Sequence, residues 1–427
     1  MLKVTDYAEF MDTYRQGAFQ GLPREEEKVR NIISRVRQGG DEALKELTLR
    51  FDGVEVPSLE VPPEDISRAA AEVGDGFLTA LKEAAGRIAA YCRRSLPSDW
   101  SFTGPFGEVL GQKITPLGRV GLYIPGGTAP YPSSVLMTAI PARTAGVQEI
   151  YLCTPPGPGG QVPRAVLAAA AETGVTKVFR VGGAQAVAAL AYGTESIPAV
   201  DKICGPGNLY VALAKKLVYG QVGIDMLAGP SEVLIIAGDG ASPDFVAADI
   251  LAQGEHGPTS ACYLVAFSRE MVEAVAAALK EQLQDLPRGA AAGEALARGQ
   301  AVLVKDEGEA FSVANRVGPE HLQVFLEDPW RRLPQVKNAG AICLGEYTPA
   351  AVGDYWAGPS HVLPTGGASR FSSPLGVEDF LKRSSILYFQ PESLARAGEN
   401  TVRLAEAEGF SAHARALRIR EEKGRDN

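Results

Sequence analysis

Four histidines occur in 427 residues, and each has neighbours that can take part in chemistry: His256 in QGEHGP, His321 in GPEHLQ, His361 in GPSHVLPT and His413 in FSAHARA. Gln253 and His256 stand three apart near the end of a predicted helix, so both side chains leave the same face. That spacing suits a shared metal ion. Imidazole nitrogen and carbonyl or carboxylate oxygen are normal zinc ligands, but this pair supplies at most two of the roughly four needed, and the rest must come from distant segments. Asp354 in AVGDYW and His413 are candidates, although spacing alone does not select them. Glu320 and His321 follow Gly318 and Pro319. In a turn or at a strand end, such neighbours can reach one pocket and supply two general bases to one reaction. Each feature also has a plainer reading: a lone histidine satisfied by one hydrogen bond, or a solvated glutamate beside a packed histidine.

The elements that must hold these residues follow from periodicity. Pro23 to Arg50 and Pro63 to Leu96 carry apolar residues at spacings of three and four with proline near each start, the pattern of two helical segments. After the Gly/Pro-rich SFTGPFGEVLGQ, the strand-like runs RVGLYIP, EIYLCTP, KVFRVGG and DKICGPG alternate with helical runs. This βαβ rhythm implies a parallel sheet covered by helices. A second α/β series begins at Ser231 with SEVLIIAGDG and ends near AICLGEY, and the chain turns helical again from Val377. No GxGxxG follows any of the strands, so the usual dinucleotide fingerprint is missing. Three other glycine-rich turns, GLYIPGGTAP, VGGAQA and CGPGN, sit at predicted carboxyl ends of strands, where glycine lets backbone amides approach a phosphate or ribose. Taken singly, each is equally a plain turn.

Composition narrows the function classes. The net charge of −9, from 51 acidic and 42 basic residues, comes without a long Lys/Arg run, which argues against nucleic acid and for a small-molecule partner. A mean hydropathy of −0.02 fits an ordinary globular chain. The start MLKVTDYAEF lacks the basic and apolar regions of a leader, and no apolar stretch is long enough to span a bilayer, so a cytoplasmic location is expected. The five cysteines are scattered without CxxC spacing and read as small core residues.

Taken together, GLYIPGGTAPYPSSVLM, VGGAQAVAALAYGTESIPAVDKICGPGN, DMLAGPSEVLIIA, DILAQGEHGP, GPEHL, VGDYWAGPSHVLPT and LAEAEGFSAHARAL closely resemble the histidinol dehydrogenase family, in unbroken order from about Arg24 to about Leu417. The resemblance implies an α/β fold of two incomplete Rossmann-like parallel-sheet domains with helical N-terminal and C-terminal extensions. The implied parts are an N-terminal arm over 1–22, a first α/β domain of 23–116 and 231–376 with the substrate and metal residues, a second domain of 117–230 that binds NAD, and a C-terminal segment of 377–427.

The same resemblance implies one zinc ion per subunit, held by Gln253, His256, Asp354 and His413, with Glu320 and His321 as the catalytic pair. Substrate contacts carry over to Ser231, His361 and Glu408 together with Gln253, His256, Glu320, Asp354 and His413; NAD contacts carry over to Tyr123, Gln185 and Asn208. It further implies a homodimer whose C-terminal segments are exchanged, so that His413 and Glu408 act in the partner's site. The implied activity is oxidation of L-histidinol through L-histidinal to L-histidine. Two rival readings are a related zinc and NAD dehydrogenase for another small alcohol, and a zinc hydrolase, since metal, Glu and His also serve water attack on a carbonyl.

Overall fold

The run EVLIIA forms a strand, Glu232–Ala237, that is buried along its entire length. A continuous apolar strand of this kind belongs inside a parallel sheet with helices on both faces. In the protein, a computed structural model describing residues 2–15, 22–127 and 129–425, Val233, Ile235 and Ala237 pack into one core and Leu234 and Ile236 into another on the opposite face. Side chains of a strand alternate between faces, so one strand anchors both layers.

The described residues contain the strands β1 (Lys3–Asp6), β2 (Trp100–Thr103), β3 (Val109–Pro116), β4 (Arg119–Tyr123), β5 (Glu149–Thr154), β6 (Lys177–Arg180), β7 (Lys202–Cys204), β8 (Gly223–Ile224), β9 (Glu232–Ala237), β10 (Ala261–Ala266), β11 (Gln300–Leu303), β12 (His321–Phe325), β13 (Ala341–Leu344) and β14 (Leu381–Tyr388). One parallel sheet has the order β1-β11-β10-β9-β12-β13, and a second has the order β6-β5-β4-β7-β8. In each, the chain runs outward from a central strand, β9 or β4, and then returns to the other side of it. That reversal opens a crevice beside the central strand.

Two compact units divide the chain: Met1–Ser95 with Leu117–Phe380, and Leu96–Pro116 with Leu381–Asn427. Both parallel sheets lie in the first. The second holds an antiparallel sheet of order β14-β3-β2 and the helices Pro391–Ala407 and Ser411–Arg425. The segment expected to turn helical from Val377 opens with one 3-10 turn, Val377–Phe380, but then runs as a strand paired over eight residues with β3 before the two helices; backbone pairing outweighed local helix propensity there. At the other end, β1 joins the first sheet alongside β11, while residues 1 and 16–21 of the expected N-terminal arm lie outside the described residues. The helix Pro23–Asp52 is interrupted at Gly40, whose φ of 50° only glycine adopts freely. No helix among the described residues is long and apolar enough to cross a membrane.

Close approach fixes one glycine in β4. A Cβ on Gly121 would meet Leu190 Cδ1 at 2.8 Å, where the helix Gly183–Tyr192 lies against the strand. Gly121→Val should therefore cost about 1–3 kcal/mol through overpacking. Equal denaturant midpoints for variant and wild type would show that the helix has room to move.

Candidate active site

The second sheet presents its carboxyl ends. Tyr123 ends β4, and its hydroxyl accepts a bond from the Gly183 amide at 3.0 Å. Gln185 lies in the first turn of the helix Gly183–Tyr192, and Asn208 caps the helix Leu209–Val218, accepting from the Tyr210 and Val211 amides at 3.0 and 3.2 Å. Glycine at 205 lets two of these turns pack backbone to backbone: a Cβ there would stand 2.1 Å from the Tyr123 carbonyl oxygen. Tyr123, Gln185 and Asn208 line one cavity of about 650 Å³, which Lys28, Arg35 and Asp52 of the helix Pro23–Asp52 also border.

The first sheet presents its amino ends to the site. Ser231 immediately precedes β9, Glu320 immediately precedes β12, and His321 is the first residue of β12, level with Val233 of β9. Gln253 sits in the last turn of the helix Pro243–Gly254 and His256 just beyond it. Asp354 is carried on a single turn of π-helix, Gly353–Ala357, a form that recurs at functional sites. These residues line a cavity of about 470 Å³ together with His361, and Tyr123 and Asn208 border both cavities.

Within it, Glu320 Oε2 accepts from the Glu232 amide at 2.8 Å and from Gln253 Nε2 at 3.2 Å. His321 Nε2 lies 3.2 Å from Asp354 Oδ1, and its Nδ1 is buried, 3.9 Å from Glu320 Oε2 and without a hydrogen-bond partner. His361 is held on both ring nitrogens, by the Asp354 carbonyl at 2.9 Å and by Ser134 Oγ at 3.3 Å.

A sequence profile of histidinol dehydrogenase matches residues 19–421. The chain is 50% identical over 399 residues to the histidinol dehydrogenase of Geobacter metallireducens, covering 92% of this chain and 91% of that protein. It is 51% identical over 398 residues to that of Moorella thermoacetica, covering 92% and 94%. The chain belongs to the histidinol dehydrogenase family. The crystal structure of histidinol dehydrogenase from Elizabethkingia anophelis superposes with a TM-score of 0.95 at 32% identity, over 99% of this chain and 98% of that one.

The α/β architecture is therefore the histidinol dehydrogenase fold, and the first unit gathers seven of the expected catalytic, substrate and metal residues, Ser231, Gln253, His256, Glu320, His321, Asp354 and His361, around one cavity with Tyr123 and Asn208. Glu408 and His413 belong to the second unit, where both are exposed, His413 with its ring 5.3 Å from that of Phe410. Among the described residues, no group of three or more His, Cys, Asp or Glu side chains is gathered closely enough to hold a metal ion. All five cysteines are buried, and desolvation pushes their thiols up, as expected of core residues.

Burial sets the electrostatics. It raises the Glu320 carboxyl to about 7 against the pull of His321, and the Glu232 carboxyl to about 8, with the Glu320 charge adding to that rise. For His321, burial opposes protonation, but the bond to Asp354 and the charge of Glu320 outweigh it and the ring is raised. Asp354 resists burial in the same way and is lowered, chiefly by His321. Burial lowers His256 and His361, so both are neutral imidazoles at neutral pH, although part of His256 faces solvent.

Sequence reasoning did not single out Glu232 or Ser134. Glu232 stood in GPSE beside Ser231 and Ser134 in the PYPSSV run, but nothing in the spacing marked a glutamate inside a buried strand as a partner of Glu320. Glu232 and Glu320 keep their protons in the folded state at pH values where ordinary glutamates, near 4.5, have lost them. Stability should accordingly fall as pH rises from about 4.5 through about 8. Glu232→Gln keeps an oxygen for the Gly366 amide, now 3.1 Å from Glu232 Oε2. It should flatten that slope and gain roughly 2–5 kcal/mol at about pH 9. Denaturant unfolding across this range tests it, and identical slopes in the two proteins would refute it.

Proposed function

We propose that the protein is a zinc-dependent, NAD-linked dehydrogenase that oxidises L-histidinol through L-histidinal to L-histidine, the last two oxidations of histidine biosynthesis. The observation that carries this reading is the cavity in which the Glu320–His321–Asp354 cluster faces the glycine-rich turns that hold Tyr123 and Asn208. Acid-base groups and dinucleotide-type loops there border one space. The names of the relatives supply the substrate.

The donor set fits zinc: His256 is neutral, Asp354 is ionised, and Gln253 uses its amide nitrogen on Glu320, which leaves the amide oxygen for a cation. Zinc held by Gln253, His256, Asp354 and His413 would grip and orient the substrate through its imidazole and amine nitrogens. The 650 Å³ cavity beside Tyr123, Gln185 and Asn208 fits a dinucleotide, and bound NAD would accept a hydride in each oxidation.

The chain's own residues move the protons. With Nε2–H of His321 on Asp354, the ring's lone pair is on Nδ1, where the proton released by the alcohol is held between Asp354 and Glu320. The first oxidation thus removes a hydride and one proton and leaves the aldehyde. Water then adds to the aldehyde carbon and Glu320 takes its proton, a task suited to a carboxyl near 7. The second oxidation removes another hydride and proton from the gem-diol, and the acid is released. His361, fixed on both nitrogens, and Ser231 bind the substrate, and the enclosing cavity keeps the aldehyde from side reactions.

The chain acts in this reading as a homodimer. Its first unit supplies three of the four zinc ligands, and the exposed Glu408 and His413 complete the partner subunit's site.

Purified protein given L-histidinol, NAD and zinc should form two NADH per substrate consumed; a ratio of one, or none at all, would overturn the reading. Glu320→Gln should slow single-turnover oxidation of supplied L-histidinal about 10²-fold or more while slowing the first hydride transfer much less. Equal losses in both half-reactions would sink that division of roles. His256→Asn and Asp354→Ala should lose zinc and turnover together, and full zinc content by elemental analysis in both would remove them from the ligand set.

A further inference from the structure

One fully buried ion pair in the second sheet's layer is not used by the chemistry. Lys215 on the helix Leu209–Val218 pairs with Asp225, their side chains 3% and 0% exposed. Burying two opposite charges gives little stability over a well-packed apolar pair, so its retention calls for what else the charges hold. Every remaining contact goes to backbone. Lys215 Nζ donates to the Gly205 carbonyl at 3.0 Å, Asp225 Oδ2 accepts from the Gly205 amide at 2.7 Å, and Asp225 Oδ1 accepts from the Met226 amide at 2.7 Å.

Gly205 is thus gripped on both sides of its residue. It has φ of 115°, and its backbone lies on that of Tyr123 with no room for a Cβ. Three residues on is Asn208, so the grip fixes the turn that borders both cavities. On the other side, Met226 begins the segment leading through Ala228 and Gly229 to Ser231, all three of which line the 470 Å³ cavity, and the Gly229 amide bonds to Thr365 Oγ1 of the facing wall. Just past the backbone pairing of β7 with β8, the pair joins the cofactor-side turn to the substrate-side segment through side chains.

We propose that Lys215 and Asp225 are positioning residues that set the Gly205–Asn208 turn and the Met226–Ser231 segment in register, so that one buried ion pair tunes binding of both NAD and the alcohol substrate. This rests on the NAD-linked reading above. A purely structural pair would lower stability and leave the binding constants alone; a register clamp shifts both constants.

The test is steady-state kinetics and thermal melting of Lys215→Met and Asp225→Asn, with Leu279→Ala as a control of comparable Tm loss from a buried residue in a core cluster that includes neither loop. Met cannot donate to Gly205, and Asn cannot accept from both amides while turning its NH₂ to neither. Both variants should raise KM for NAD and KM for histidinol roughly tenfold each, the loss of one hydrogen bond to a charged group. The kcat at saturation of both should change much less, and the control should keep both KM values. Values of both KM within twofold of wild type in folded variants would overturn the proposal, as would an equal rise in the control. Should neither variant fold, Asp225→Glu keeps the charge but adds a methylene that displaces Gly205; raised KM for both ligands supports the clamp and unchanged values sink it. Wild-type protein that reduces no NAD tells against the functional reading itself, whereas normal wild-type constants with unshifted variants tell against the clamp alone.

Discussion

The site depends on keeping a carboxyl, Glu320, largely out of water. Such a group is costly to bury unless hydrogen bonds replace its hydration. The replacement comes from the backbone amide of Glu232 on the neighbouring strand and from the amide nitrogen of Gln253 on the helix that follows it. The position of Glu320 is therefore set by the register of β12 against β9, with His321 opposite Val233, and not by a flexible loop. A slip of one residue would turn His321 away from the cavity and strip Glu320 of its donor.

The two sheets meet the site with opposite edges, and helix dipoles explain the division of labour. At the carboxyl ends of β6 and β7, the next elements are the starts of the helices Gly183–Tyr192 and Leu209–Val218, whose positive dipole ends favour the phosphates of a dinucleotide. At the amino ends of the other sheet, the chain arrives from helix carboxyl ends. The helix Pro243–Gly254 delivers Gln253 and then His256 where its negative end favours a cation. In the proposed reading the anionic cofactor and the metal each occupy the edge whose dipoles suit them.

Much of this was legible in the chain. The βαβ rhythm gave both parallel sheets, the three glycine-rich turns lie at strand carboxyl ends, and the four scarce histidines marked the motifs. What spacing could not give was convergence: Asp354 lies 98 residues beyond His256, and a local pattern carries no information on such pairings. The π-turn that aims Asp354 has no periodic signature, and Glu232 reads as one polar residue in an apolar strand. The strand β14 was hidden because its eight partners lie more than 260 residues earlier in the sequence.

Glu232 shows how the fold tolerates its own active site. A carboxyl on β9 and one just before β12, both pushed up by burial, with the Glu320 charge adding to the rise at Glu232, lower stability at neutral and alkaline pH. An apolar residue would relieve that strain, and the Glu232 amide would still reach Glu320. The side chain, however, ties the Gly366 amide, next to Thr365, whose hydroxyl receives the Gly229 amide on the substrate segment. The same residue thus holds Glu320 through its backbone and the opposite wall of the cavity through its carboxyl. A local loss of stability at Glu232 is the physical cost of fixing both walls from one strand, and the apolar cores on either side of β9 are what allow the protein to bear it.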